Sequence, residues 1–156
     1  MKLTLGFSPC PNDTFIFDAM VHGKVDTEGL EFSYYLADIE ELNRRAFTGQ
    51  PDITKISSFA YAFAAESYMI LDSGSALGFK NGPLLVSRAE INPVNLVTAR
   101  IAIPGKYTTA NMLFSIAWPE AVNKKEYLFS EIEDAVIRGE ADAGLIIHES
   151  RFTYEK

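Results

Sequence analysis

Cysteine occurs once in these 156 residues, at Cys10, and histidine twice, at His22 and His148. A single thiol forms no internal disulfide, which fits a reducing compartment. Two histidines and one cysteine are too few for a dedicated soft-metal site. Basic residues are also scarce, 14 against 21 acids, for a net charge of -7. Nucleic acid and anionic membrane surfaces both require clustered Lys and Arg, so both are excluded as partners. No apolar run approaches the length of a membrane span. Met1–Ser8 is too short and too polar for a signal peptide, so the expectation is a cytoplasmic protein. There is no Walker loop, no G-x-G-x-x-G, no H-E-x-x-H and no C-x-x-C. A small anionic ligand stays open, because backbone dipoles act locally whatever the net charge.

Apolar residues make up 47% of the chain, enough for a real core. Lys2–Ser8 reads as a strand broken by Pro9 and Pro11. Asn12 or Asp13 then caps a helix to about Val21, with Phe15, Ile16, Ala19 and Met20 on one face. Leu30–Leu36 alternates like a strand. Asp38–Phe47 reads as a helix with acids first and Arg44 and Arg45 last, as the helix dipole prefers. Asp52–Ser57 is a strand, and Ser57 or Ser58 caps a helix to Ala65. Tyr68–Leu71 and Pro83–Ser87 read as strands, the second fully buried, joined by a glycine-rich stretch. The unit then repeats. Arg100–Ile103 is a strand, Thr108 or Thr109 caps a helix ending near Trp118, and Lys125–Leu128 is a strand. Ser130–Glu133 has the capping-box pattern, and Ala143–Ile147 is a buried strand ending at His148. This alternation predicts an α/β protein with mostly parallel sheets. The Asn- and Pro-containing break at 88–99 suggests two lobes, residues 1–90 and 91–156.

Ligands of open α/β sheets sit beyond the C-terminal strand ends. The polar residues there are Ser8, Asn12 and Asp13; Ser57 and Ser58; Thr108 and Thr109; and His148. Three of these places are helix starts, whose free N–H groups and partial positive charge suit a carboxylate. Such residues at helix starts usually serve only as caps, and three equivalent places in a repeated unit shift that balance modestly. His148, delivered by a buried strand, is either a general base or a structural histidine paired with a neighbour such as Glu149. His22 reads as a dipole partner at a helix end. Cys10, without a suggested His–Asp partner, reads as structural or site-lining. Phe79 and Tyr107 are weaker candidates for stacking on an aromatic ligand.

Several segments resemble the 1,4-dihydroxy-6-naphthoate synthases. They are Ser8-Pro9-Cys10-Pro11-Asn12-Asp13-Thr14, Lys55-Ile56-Ser57-Ser58-Phe59-Ala60-Tyr61, Gly82-Pro83-Leu84, Ile103–Ala110, and Asp142–Glu149 with Arg151–Tyr154. Five motifs in order along the whole chain are more specific than any one of them. The resemblance implies a periplasmic-binding-protein-like fold of two α/β lobes around a cleft. It implies a lyase of the futalosine route to menaquinone that converts cyclic dehypoxanthinyl futalosine to 1,4-dihydroxy-6-naphthoate, with no cofactor. It makes His148 the general base. Ser57, Ser58, Thr108 and Thr109 would hold substrate oxygens, and Asn12 and Lys80 would line the cleft. Lobe closure would exclude water during carbon–carbon cleavage.

Members of that family continue well past the tyrosine that follows the histidine. The reading therefore expects a second lobe that is truncated here, a first lobe lacking its return segment, and association of the piece with another copy or its missing half. A homodimer is compatible with the family. Two other readings share the fold: chorismate dehydratase of the same route, and a solute-binding protein that captures a small carboxylate without chemistry. A third, a structural or interaction domain, treats the caps and His148 as scaffold.

Overall fold

The computed structural model describes residues 1–79 and 81–147. The chain divides into two units between Leu77 and Gly78. The first contains β1 (Lys2–Phe7), α1 (Pro11–Val21), β2 (Glu31–Leu36), α2 (Ile39–Phe47), β3 (Ile53–Thr54) and α3 (Ser58–Ala64). Its sheet has the order β2-β1-β3, all parallel, with Leu5 opposite both Tyr34 and Ile53. Alternation of apolar and polar residues builds β2, whereas β1 ends in the buried run Leu5–Phe7 because it is the central strand. Asp52 pins β3 to β1: its carboxylate accepts from the Thr4 N–H at 2.7 Å and the Thr4 hydroxyl at 2.6 Å.

Helix α2 forms as its charge pattern predicts. Asp38 caps it by accepting from the Glu40 N–H at 3.0 Å, and Arg44 and Arg45 pair with Glu40 and Glu41 one turn back. Leu42, Asn43 and Ala46 are fully buried. Gly49, at φ 67°, ends the helix in the conformation that glycine tolerates best.

The second unit contains β4 (Leu84–Ser87), a 3-10 turn at Pro93–Val97, β5 (Ile101–Ile103), α4 (Thr109–Ala117), β6 (Lys124–Glu126), a 3-10 turn at Phe129–Glu131, α5 (Ile132–Ile137) and β7 (Ala143–Ile146). Its sheet order is β4-β7-β5-β6, and only β4 runs antiparallel to its neighbour. Both faces are covered, so β5 and β7 are apolar at every position. Ile101, Ile103, Ala143 and Leu145 face Phe114 and Ala110 of α4. Ala102 and Ile146 face Ile132 and Val136 of α5. Gly144 shares that second face, and a Cβ there would stand 2.6 Å from Ile132 Cγ2 and 2.9 Å from Val136 Cγ2. At the opposite end of the sheet Arg100 clamps Asp142. The carboxylate accepts from the Arg100 N–H at 2.8 Å and from its guanidinium at 2.7 and 3.1 Å, which holds the Asp142 pKa down to about 2.

Several expectations are corrected. The break between units falls after Leu77 rather than near 90, because Leu84–Ser87 pairs with β7. That strand is half-buried rather than fully buried, since it lies at a sheet edge. Tyr68–Leu71 is not a strand; the Tyr68 hydroxyl bonds the Pro51 carbonyl and no strand partners the segment. Neither Asn12 nor Asp13 caps α1. Pro11 takes the first helical position and makes Cys10 the cap. Of the apolar face foreseen for α1, Ile16, Ala19 and Met20 are half-buried, whereas Phe15 is 86% exposed. The Ser130 capping box does not form, because the 3-10 turn runs straight into α5 and puts Glu131 at the cap position.

Candidate functional site

In the first unit the polar groups gather where β1 and β3 end. Ser8 leaves β1 nearly buried, and both its N–H and its hydroxyl donate to Asp13 Oδ2, at 3.1 and 2.7 Å. Asp13 is 4% exposed. Lys55 Nζ approaches Asp13 Oδ1 at 3.5 Å. A buried carboxylate thus stands beside the start of α1 and takes up both donors of Ser8. Asn12, beside it, is exposed in the first turn.

Ser57 is held by a residue that the sequence did not single out. Asn43, fully buried in α2, accepts from the Ser57 N–H through Oδ1 at 2.9 Å and donates to Ser57 Oγ at 3.3 Å. Its amide also reaches Glu40 Oε2 at 3.4 Å. A polar residue at a core position of an otherwise amphipathic helix was the available signal. Ser57 makes no side-chain cap bond to α3. Its hydroxyl accepts from Asn43 and, among the described residues, has no acceptor for its own proton. Ser58 is exposed at the first helical position. Helix α3 has only seven residues, so its dipole is short.

In the second unit β5 delivers Pro104–Thr108. Thr108 is 4% exposed and its hydroxyl is committed twice, donating to the Gly105 carbonyl at 2.8 Å and accepting from the Asn111 N–H at 3.3 Å. It is the cap of α4. Asn111 braces the same loop by donating to the Lys106 carbonyl at 2.8 Å. Thr109 is half-buried at the first position of α4. The second unit also has an apolar groove of about 240 Å³ between Pro93, Leu96, Val97 and Trp118, but it lies where β5 begins, away from the strand ends that carry these polar groups. Lys80 and His148 lie outside the described residues. Cys10 is half-buried and free. Among the described residues no helix is long and apolar enough to cross a membrane.

Mostly parallel α/β sheets of this order give the chain the fold of the periplasmic-binding-protein type. An alkanesulfonate-binding protein from Xanthomonas axonopodis shows that fold at 13% identity and a TM-score of 0.65, covering 94% of this chain and 54% of its own. Closer likenesses are more specific. The chain belongs to the menaquinone biosynthesis family, whose model matches residues 3–156. It is 47% identical to a 1,4-dihydroxy-6-naphthoate synthase from Thermus thermophilus over 99% of its length. A crystal structure of an Archaeoglobus fulgidus protein is 44% identical over 99% of this chain, with a TM-score of 0.90, and the match covers 56% of that protein. The chain spans about 55% of the length of the Thermus relative.

Proposed function

We propose that the full-length protein is a 1,4-dihydroxy-6-naphthoate synthase, a cytoplasmic lyase acting on cyclic dehypoxanthinyl futalosine. The observation that carries this reading is the 47% identity to a relative of that name over 99% of this chain. Geometry supports it in one respect above others. Asn43 fixes the Ser57 hydroxyl so that its proton is left to give to a ligand oxygen. Thr108 shapes the second loop as a cap, so substrate contact there falls to Thr109 and to backbone N–H groups rather than to the Thr108 hydroxyl. His148 follows the strand β7 and Ile147, and serves as the base that starts ring opening. Asn12, Ser58 and Lys80 are further candidates for substrate contact.

The test is turnover of cyclic dehypoxanthinyl futalosine by the full-length protein, followed by mass spectrometry of 1,4-dihydroxy-6-naphthoate, beside His148→Ala. Product from wild type, with a loss of about 100-fold or more in a folded, substrate-binding His148→Ala, is the expected outcome. Equal product from both removes the histidine assignment and keeps the reaction. Turnover of chorismate instead moves the protein to the dehydratase of the same route. Tight binding without turnover of either makes it a solute-binding protein.

A further inference from the structure

We propose that Lys55 is a positioning residue that anchors the segment leaving the first unit, and that its work for the reaction rests on the function proposed above. Lys55 closes β3, where its own N–H donates to the Gly6 carbonyl at 2.8 Å, and it stands two residues before Ser57. Its side chain is 17% exposed and joins two distant places. Nζ approaches Asp13 Oδ1 at 3.5 Å, and it donates to the Gly74 carbonyl at 2.8 Å. The i,i+4 pairs on α2 and the Arg100–Asp142 clamp each keep at least one partner about half-exposed. In Asp13–Lys55 both partners are largely withdrawn from water, so neither is held there cheaply without the other.

The bond to Gly74 matters because little else holds that stretch. From Met69 to Phe79 every residue is exposed except Gly74. Gly74 takes φ 87°, a conformation other residues adopt only under strain. Crowding does not explain the glycine, since the nearest atom to an added Cβ is Ile16 Cγ2 at 4.0 Å. The conformation suits a backbone that turns its carbonyl to Lys55. One ammonium therefore ties together the end of β3, the β1–α1 loop through Asp13 and Ser8, and the segment that passes to the second unit after Leu77. The strand end that carries Ser57 and the exit of the chain then move as one body.

The experiment compares four variants of the full-length protein by hydrogen exchange over residues 69–79 and by kcat/KM on cyclic dehypoxanthinyl futalosine. Lys55→Met alone would strand a buried carboxylate, so the informative pair is Asp13→Asn against Asp13→Asn/Lys55→Met. These differ by the Gly74 bond while neither leaves Asp13 charged. Gly74→Ala keeps both charges and strains the turn instead. The double variant and Gly74→Ala are expected to raise exchange over 69–79 by about tenfold, with Asp13→Asn raising it clearly less and β1 still protected. Their kcat/KM is expected to fall at temperatures well below unfolding, with Lys55→Arg retaining more activity than the double variant. Unchanged exchange over 69–79, or equal loosening in Asp13→Asn, overturns the anchor. Loosened exchange with unchanged kcat/KM overturns its role in the reaction. A wild type without turnover removes the proposed function instead, and the exchange comparison still decides the anchor.

Discussion

Replacing Gly144 by alanine tests how closely α5 rests on the second sheet. The residue lies in β7 with no positive φ, so the backbone accepts alanine without strain. Shortening the list of unfolded conformations would by itself stabilise the protein by about 0.4–1 kcal/mol. Against this, the new methyl would stand 2.6 Å from Ile132 Cγ2 and 2.9 Å from Val136 Cγ2. Ordinary carbon contacts lie at about 3.5–4.0 Å, so each neighbour must retreat by close to an ångström. Ile132 and Val136 are β-branched helical residues with one strongly preferred rotamer, so their methyls cannot swing aside. Ile132 is also fully buried. The helix must lift instead, and overpacking of this kind costs about 1–3 kcal/mol. The net expectation is a destabilisation of about 1–2 kcal/mol, read as a lower urea midpoint at unchanged slope in the full-length protein. Val136→Ala removes one of the two obstructing methyls, so the double variant should lose less than the sum of the singles. A Gly144→Ala protein as stable as wild type, or strictly additive singles, would refute the packing argument.

Two further outcomes follow from the second unit. The folded Asp142 pKa of about 2 lies below its ordinary value of 3.8, so its pairing stabilises the fold above about pH 4 and that contribution disappears as pH falls toward 2. Arg100→Met should therefore lower the melting temperature at neutral pH and flatten its decline over that acid window, whereas an unchanged acid limb would show the clamp to be energetically idle. Thr108→Val should cost about 1 kcal/mol through the lost cap, with Thr108→Ser close to wild type in thermal melts; a neutral valine would mean that the Asn111 N–H finds another partner.

The order of strands and helices was readable because most elements obey one rule each. Helix α2 shows this best, with its cap, charge gradient and apolar stripe all agreeing. The unbroken apolar runs in β5 and β7 likewise announced two-sided burial, whereas the alternation in β2 located a strand but not its buried face, since Tyr34 and Leu36 are exposed and Tyr35 is half-buried. What failed depended on partners distant in sequence. Nothing local in Leu84–Ser87 says that it pairs with Ala143–Ile146 across nearly sixty residues and thereby belongs to the second unit. Tyr68–Leu71 has strand-like composition but no strand beside it. At the site, hydroxyl residues at helix starts were correctly located, and Thr108 is the cap that the sequence offered, whereas Ser57 makes no cap bond. Only the structure shows that Asp13 turns back onto Ser8. Asn43 escaped notice although it shares a helical stripe with Leu42 and Ala46, because asparagine is more often found at the surface.

The antiparallel course of β4 has a consequence for how this protein tolerates changes of length. Leu84 lies opposite Ile146, so the chain enters the second unit at the edge where β5 and β7 finish, and leaves β4 at the edge where they begin. Residues gained or lost just before Leu84 therefore reshape the loop-bearing rim of the unit, while the same changes between Ser87 and Pro93 fall on the far side. Natural variants of this protein should accumulate insertions in the second stretch and resist them in the first.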